Sequence, residues 1–507
     1  LATILHDLHQ AQVIHKDIKP ANILIHPETE QIRLIDFSIA SLLPKETQDI
    51  QTPSGLEGTL AYVAPEQTGR MNPGIDYRAD FYTLGVTLFE LLTGQLPFQS
   101  SDPMELVHSH IAQPPPLAHQ LNAEVPLMLS RLVQKLMAKN AEDRYQSATG
   151  LKHDLELLQT QPPAQSKLAE FNLAERDISD RFLIPEKLYG RAVEINTLLA
   201  AFERVADGAS ELVLVAGFSG IGKTAVVNEV HKPITRQNGY FVKGKFDQFN
   251  RDIPLSAFVQ ALRSLVSQLL AESDARLAQW RANILAAVGE SGQVLIEVMP
   301  ELTQIIGEQP PVPNLPSTAA QNRFNLLFQK FIEVVSTPAH PLVLFLDDLQ
   351  WADTASLQLI KLLLDNRHPL LLVGAYRDNE VSPAHPLMLT VGELKQAQVI
   401  VNAIALLPLR FEHINQLVAD TLSCTIDLAR PLANLVNRKT QGNPFFIAQF
   451  LKALHEDGHI IYNQEGGYWQ CDIAQIKALA LTDVVVKLIV RQVQKLPSET
   501  LSLLKLA

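Results

Sequence analysis

Two short runs of this sequence carry residue types suited to handling phosphate. The first is His15-Lys16-Asp17-Ile18-Lys19-Pro20-Ala21-Asn22, set between an apolar-periodic segment and Ile23-Leu24-Ile25. An Asp with a Lys two positions on can hold a substrate hydroxyl and a phosphoryl group together, and an Asn five positions after that Asp can reach a divalent ion on the same phosphates. The second run is Gly217-Phe218-Ser219-Gly220-Ile221-Gly222-Lys223-Thr224, directly after the apolar stretch Leu212-Val213-Leu214-Val215-Ala216. It fits G-x-x-x-x-G-K-[ST] with a strand before it and a helix after it. Gly217, Gly220 and Gly222 let backbone N–H groups close around phosphate oxygens, and the helix start adds its positive end. In this pattern Lys223 reaches the β and γ phosphates and Thr224 ligates Mg²⁺.

Strands and helices must position these groups. Leu342-Val343-Leu344-Phe345-Leu346 reads as a buried parallel strand ending in Asp347 and Asp348, where nucleotide sites of open α/β sheets form. Asp347 is expected to hold Mg²⁺ directly or through water, and Asp348 to polarise the attacking water. Leu370 to Ala375 reads as another buried strand, followed by Arg377 as the expected sensor of the γ-phosphate. Leu255 to Leu270 has the spacing of an amphipathic core helix. Leu1 to Gln12 reads as a helix leading into the first run, and Asp80 to Thr93 as a strongly apolar helix whose Asp80 caps it or braces that run.

Further residues extend the first run: Asp36-Phe37-Ser38, Gly58-Thr59, Ala64-Pro65-Glu66, Asp80-Phe81-Tyr82-Thr83-Leu84-Gly85 and the distant Arg144. Their order and spacing resemble the C-terminal lobe of a protein kinase over roughly residues 1 to 157, and Lys19 with Gly58-Thr59 resembles the Ser/Thr branch. The resemblance implies that Asp17 accepts or orients the substrate hydroxyl proton, and that Lys19 stabilises the transferring phosphoryl group. It gives Asn22 and Asp36 to Mg²⁺, and pairs Glu66 with Arg144 to anchor an activation segment whose hydroxyls are Thr47, Thr52, Ser54 and Thr59. Two residues depart from the pattern. Lys16 stands where an Arg is usual, which removes a bidentate grip on phosphate. Ser38 stands where a Gly is usual, which removes backbone freedom. The Gly-rich loop, strand Lys and helix Glu of a kinase are absent from this sequence, so the chain looks like a fragment and is expected to lack phosphotransfer by itself.

The second run, with Gln350-Trp351-Ala352-Asp353 and Gly442-Asn443-Pro444-Phe445-Phe446, resembles the signal-transduction ATPases of the AAA-related class, the STAND and Orc1-like group, over roughly residues 188 to 480. That resemblance implies a helical lid on which Pro444 approaches the nucleotide base; Trp351 is expected to pack rather than bind. Kinase lobe, linker and ATPase in this order resemble large bacterial multidomain signalling kinases, in which sensor and histidine-kinase regions follow.

The expected fold is therefore a mainly α-helical kinase C-lobe (1–157), a linker (158–187), an α/β P-loop NTPase core with a parallel sheet (188–405), a helical lid (406–480), and the start of a helical or winged-helix module (481–507). ATP and Mg²⁺ are the expected cofactors, a protein carrying Ser or Thr the expected substrate, and self-association through the ATPase module the expected assembly. Formal net charge of -12 argues against a general nucleic-acid partner. Two cysteines, Cys424 and Cys471, and no membrane-length apolar run fit a cytoplasmic protein. The leading expectation is a Ser/Thr kinase coupled to a regulatory ATPase; the alternative is a catalytically silent kinase-like scaffold with a nucleotide-switched module.

Overall fold

The computed structural model describes residues 1–42, 59–68, 74–100, 103–160, 171–177, 181–230, 233–234, 237, 239–248, 254–270, 272, 274–313, 315–365, 368–463 and 468–472. Thr47, Thr52, Ser54, Gly58 and the expected C-terminal module at 481–507 lie outside the described residues. Backbone proximity divides the chain into two units, one of residues 1–177, 195–216 and 227–404, the other of residues 178–194, 217–226 and 405–507.

In the first unit, helix α1 (Ala2–Gln10) buries Leu5 and His9 and delivers the chain to the His15 loop. A short antiparallel hairpin of β1 (Ile23–Ile25) and β2 (Ile32–Leu34) follows. Helix α2 (Arg78–Thr93) is apolar on almost every side and is accordingly sunk in the lobe, ending where Gly94 turns left-handed. Around it lie α3 (Pro103–Ala112), α4 (Ala118–Leu121) and α5 (Leu127–Leu136), while α6 (Ala148–Thr160) packs on α1. Tyr82, Val86 and Phe89 of α2 share a core with Phe98, Val133 and Met137. Pro114 to Pro116 form the loop between α3 and α4, as the sequence suggests.

Buried in this lobe is the Glu66–Arg144 pair. Arg144 Nη1 donates to Glu66 Oε1 at 2.6 Å and Nη2 to Oε2 at 2.8 Å, with both side chains almost wholly enclosed. The remaining guanidinium donors go to the carbonyls of Ala138 (2.7 Å), Arg78 (3.0 Å) and Lys139 (3.2 Å). Every donor is matched, which is the condition under which a buried ion pair is tolerated.

The same unit holds a sheet of β3 (Ser210–Ala216), β4 (Tyr240–Lys245), β5 (Leu342–Asp347), β6 (Leu370–Tyr376) and β7 (Ile400–Ala405), in the order β4-β5-β6-β3-β7. The pairings β4 with β5, β5 with β6 and β6 with β3 are parallel, with Val213 opposite Val373 and Leu344 opposite Leu372. The central strands β3, β5 and β6 are apolar and buried through their middles, with Leu212 to Val215 and Leu342 to Leu346 buried throughout. Among those helices, Ser256–Leu270 buries Phe258, Leu262 and Leu265 into one core with Phe328 and Phe331 of Ser317–Val335. This is the amphipathic helix expected at 255 to 270.

Among its described residues the second unit contains the phosphate loop and the helices Phe411–Leu422, Ile426–Thr440 and Pro444–Glu456, followed by an antiparallel pair Ile460–Asn463 and Tyr468–Cys471. Ile414, Val418, Leu432, Val436, Ile447 and Trp469 form its core.

Removing one member of the Glu66–Arg144 pair strands a buried charge. Glu66→Ala or Arg144→Leu is expected to cost about 3–5 kcal/mol, and the double variant Glu66→Leu/Arg144→Leu much less than the sum of the two. Urea unfolding followed by far-UV circular dichroism measures both.

Candidate functional site

The His15 loop is shaped by a carboxylate below it. Asp80 has no exposed surface, and its oxygens accept the backbone N–H of His15 (3.0 Å) and of Lys16 (2.8 Å) and the His9 ring Nε2 (3.0 Å). Of the two roles expected for Asp80, the structure shows the brace; the N–H of Arg78 at the start of α2 goes instead to Asp76 Oδ1 at 2.9 Å. Lys16 takes a left-handed φ of 68°, its carbonyl receives Gln67 Nε2 at 3.0 Å, and the carbonyl of Ile18 receives the Thr87 hydroxyl at 2.9 Å.

That frame gathers the expected groups around Asp17. Lys19 Nζ lies 2.7 Å from Asp17 Oδ2, and Asn22 Nδ2 donates to the same oxygen at 3.0 Å and to the Asp17 carbonyl at 2.9 Å. Thr59 completes the group: its N–H donates to Asp17 Oδ1 at 3.2 Å, and its hydroxyl is 2.6 Å from Lys19 Nζ. Thr59 thus belongs to the Asp17 site. A carboxylate, an ammonium, an amide and a hydroxyl meet within hydrogen-bond distance, a set able to orient an alcohol and neutralise a phosphoryl oxygen.

Asp36 is exposed, with φ of 65°, and the N–H of the residue before it, Ile35, donates to the Asn22 carbonyl at 2.9 Å. The Ser38 hydroxyl, then the Ser38 N–H at 3.3 Å, hold its carboxyl below the ordinary carboxylate range. Ser38 thus supports the carboxylate it follows. His15 links the two stretches, its Nε2 3.1 Å from the Ile35 carbonyl and its ring edge-on to Phe37 at 4.7 Å between centroids.

The residues of the second constellation are divided between the two units. In the first unit, β5 delivers Asp347 and Asp348 to its carboxyl end, and β6 delivers Arg377 one residue beyond its last. Asp348 adopts a left-handed φ of 56°, and its N–H donates to Asp347 Oδ1 at 2.9 Å. Its buried carboxylate accepts from Gln350 Nε2 at 2.9 Å and sits 3.4 Å from both Lys245 Nζ and Arg377 Nε. Arg377 also pairs with Glu380 at 2.9 Å, and its guanidinium lies 4.9 Å from the centre of the Trp351 ring. Trp351 packs, as expected.

In the second unit, Gly217, Gly220 and Gly222 all have positive φ, and Lys223 Nζ donates to the carbonyls of Gly217 (2.7 Å) and Phe218 (3.1 Å). The lysine is folded back into its own loop. Thr224 is the second residue of the helix Lys223–Asn228 and is exposed. The lid touches this loop directly. Asn443 Nδ2 donates to the Ser219 carbonyl at 2.9 Å and the Phe445 N–H to the Gly220 carbonyl at 3.2 Å. Gly220, with φ of 75°, leaves room for this: a Cβ there would stand 2.8 Å from Phe445 Cβ. The expected contributor, Pro444, lies between these two contacts.

Sequence reasoning missed several of these partners. Arg191, buried, donates from Nη2 to the Leu407 carbonyl at 2.7 Å and to the Ile221 carbonyl at 3.4 Å, tying the start of the unit to the loop. Its only signal was the Gly190-Arg191 dipeptide at the domain start. Lys245 ends β4, beside the acids because β4 pairs with β5 in register Lys245 opposite Asp347. The carboxyl-end rule for parallel strands would have found it.

Comparison with known proteins defines the class first. Residues 1–155 match the protein kinase domain and residues 187–373 the AAA ATPase domain, so the chain carries a protein kinase domain followed by an AAA ATPase domain. In an alignment of 534 positions that covers 89% of the chain, it is 34% identical to "Hybrid signal transduction histidine kinase G" of Dictyostelium discoideum. In one of 403 positions that covers 71% of the chain, it is 24% identical to "Histidine protein kinase 1" of Candida albicans. Its kinase part is 37% identical over 161 residues, 32% of the chain, to "Serine/threonine-protein kinase PknB" of Mycobacterium leprae. The chain spans 15%, 16% and 25% of the lengths of these three relatives. Among the described residues no helix is long and apolar enough to cross a membrane.

Two outcomes follow from the geometry. Ser38→Ala removes the hydroxyl that holds Asp36 down, so the Asp36 titration should move up toward the ordinary carboxylate range; carboxyl-carbon NMR reads it directly. Asn443 Oδ1 also caps the helix Pro444–Glu456 through the N–H groups of Phe445 and Phe446. Asn443→Ala should therefore cost about 1 kcal/mol in stability and speed amide exchange at 219–222, where the other half of its contact lies.

Proposed function

We propose that this chain is the kinase and ATPase portion of a signal-transduction protein, with ATP-dependent transfer of phosphate to Ser or Thr hydroxyls by the first domain and a regulatory nucleotide switch in the second. The observation that carries the first half is the Asp17–Lys19–Asn22–Thr59 constellation. A scaffold has no need of a carboxylate, an ammonium and an amide converging on one point, each at the position that the kinase pattern requires. Asp17 would take or orient the hydroxyl proton, and Lys19 would offset charge on the phosphoryl oxygens. With Nδ2 committed to Asp17, Asn22 would present its carbonyl oxygen to Mg²⁺, alongside the Asp36 carboxylate. Among the described residues no cluster of three or more His, Cys, Asp or Glu side chains could hold a metal unaided. That suits Mg²⁺, which takes one or two protein oxygens and fills its shell with phosphate and water.

For the second domain, support comes from the loop of Gly217 to Thr224 with positive φ at its glycines, and from acids at the carboxyl end of β5. Lys223 would exchange its two loop carbonyls for phosphate oxygens, Thr224 and Asp347 would hold Mg²⁺, and Asp348 would orient water. Arg377 would report the γ-phosphate, and Pro444 the base. A nucleotide at this loop would lie against the residues that the lid already contacts, which is how binding could be relayed to the lid. Signalling kinases among the relatives favour a regulatory role over bulk ATP turnover. A cytoplasmic setting, protein substrates and self-association through the ATPase module complete the reading.

The kinase half is tested by radiolabel transfer to Ser/Thr peptides from a protein that includes a complete kinase domain. Asp17→Asn should lower it by about a hundredfold or more. Unchanged transfer would favour the silent-scaffold alternative. In the ATPase half, Lys223→Ala should weaken Mg²⁺-ATP binding at least about tenfold, whereas Asp348→Asn should spare binding and slow hydrolysis. Calorimetry beside single-turnover hydrolysis separates the two; equal binding by Lys223→Ala would remove the phosphate-loop assignment.

A further inference from the structure

The stretch 158–187 reads as a linker in the sequence, yet part of it is built into the first lobe. Helix α6 begins after Ser147, whose Oγ accepts the Gly150 N–H at 2.9 Å in an ordinary cap. A carboxylate arrives from thirty residues downstream. Asp177 accepts the Gln146 N–H (2.6 Å) on Oδ2, and the Ser147 N–H (2.7 Å) and Ser147 hydroxyl (2.8 Å) on Oδ1. Three residues earlier, the Ala174 N–H donates to Asp154 Oδ2 at 2.7 Å, the same oxygen that takes the Tyr145 hydroxyl at 2.6 Å. Between these points Ala174 turns left-handed at φ 66°, and the Asp177 N–H closes back on its carbonyl at 3.2 Å.

The seat is cut to fit. A Cβ on Gly150 would stand 2.5 Å from Asp177 Oδ1 and 2.6 Å from its Cα, so only glycine at this helical position lets the segment lie down. Burial raises the Asp177 carboxyl, and the donors of Gln146 and Ser147 pull against that rise.

What Asp177 grips is not peripheral. Gln146 donates from Nε2 to the Arg144 carbonyl at 2.9 Å, accepts Arg78 Nη1 at 2.9 Å, and receives the Tyr77 hydroxyl on its own carbonyl at 2.8 Å. Arg144 in turn holds Glu66. A continuous set of hydrogen bonds therefore runs from the linker to the turn that carries Glu66 and Gln67, and Gln67 holds the loop of Asp17 through the Lys16 carbonyl.

We infer that residues 171–177 form a clip, seated over Gly150, whose engagement sets how firmly Arg144 anchors the Glu66 turn. A pull on the linker would then loosen the catalytic side of the lobe without touching it. The inference concerns the kinase lobe alone and stands whether or not the second domain binds nucleotide.

Hydrogen exchange by mass spectrometry on the whole 507-residue chain tests it, with Asp177→Ala and Gly150→Ala. The second variant is diagnostic because alanine in a helix ordinarily steadies it; here it would expel the clip. Both variants should speed exchange about tenfold or more at 146–151 and also at 64–68, while the far end of α2 keeps its protection. Asp177→Asn, which retains one acceptor, should fall between. Acceleration at 146–151 with no change at 64–68 would reduce the clip to a helix cap and overturn the inference. So would slower exchange in Gly150→Ala, or equal acceleration through all of α2, which marks general destabilisation.

Discussion

A carboxylate with no exposed surface sets the geometry on which the first domain depends. Leaving Asp80 buried and unmatched would be costly, and so would leaving the N–H groups of a tight loop without acceptors. The two costs cancel when His15 and Lys16 turn their amides onto Asp80. The turn this demands places Lys16 at positive φ and sets the next residue, Asp17, among Lys19, Asn22 and Thr59. The carbonyls on the other side of the loop are claimed by Gln67 and Thr87. The position of Asp17 is thus decided by the helix below and the turn beside it.

The ATPase core works from another constraint. Parallel strands buried on both faces can be apolar only until they end, so charge accumulates where they stop. Lys245, Asp347 and Asp348, and Arg377 all sit at such ends, on three neighbouring strands. Their grouping follows from strand order alone.

Short-range logic was legible in the sequence and long-range logic was not. The phosphate loop, the Asp17–Lys19–Asn22 spacing and the buried strands each announce themselves within eight or so residues, because one local structure needs them all. Glu66 and Arg144, far apart in sequence, were recovered because a family pattern links them; the structure gives the pair its geometry. Asp177, Arg191 and Asn443 act on main-chain groups 30, 216 and 224 positions away, and hydrogen bonds to a backbone leave no complementary residue type to search for. The polar run and prolines near 160 look like any tether, and nothing in them reveals that its end is docked. Ser38 was read by what it lacks relative to glycine, when what it adds, a hydroxyl, is the part in use.

Arg377 is held by ion pairs to its own neighbours. Asp348 stands 3.4 Å away and Glu380 2.9 Å away, with Trp351 beneath the guanidinium. An anion arriving at this arginine would not meet a bare positive charge; it would have to displace carboxylates already there, and gain only the difference. Lys245 is the other cation on Asp348, so each step the arginine takes toward a newcomer leaves the lysine a larger share of that carboxylate. At such a strand end a multiply charged anion would gain more from the exchange than a singly charged one, which would only trade one ion pair for another.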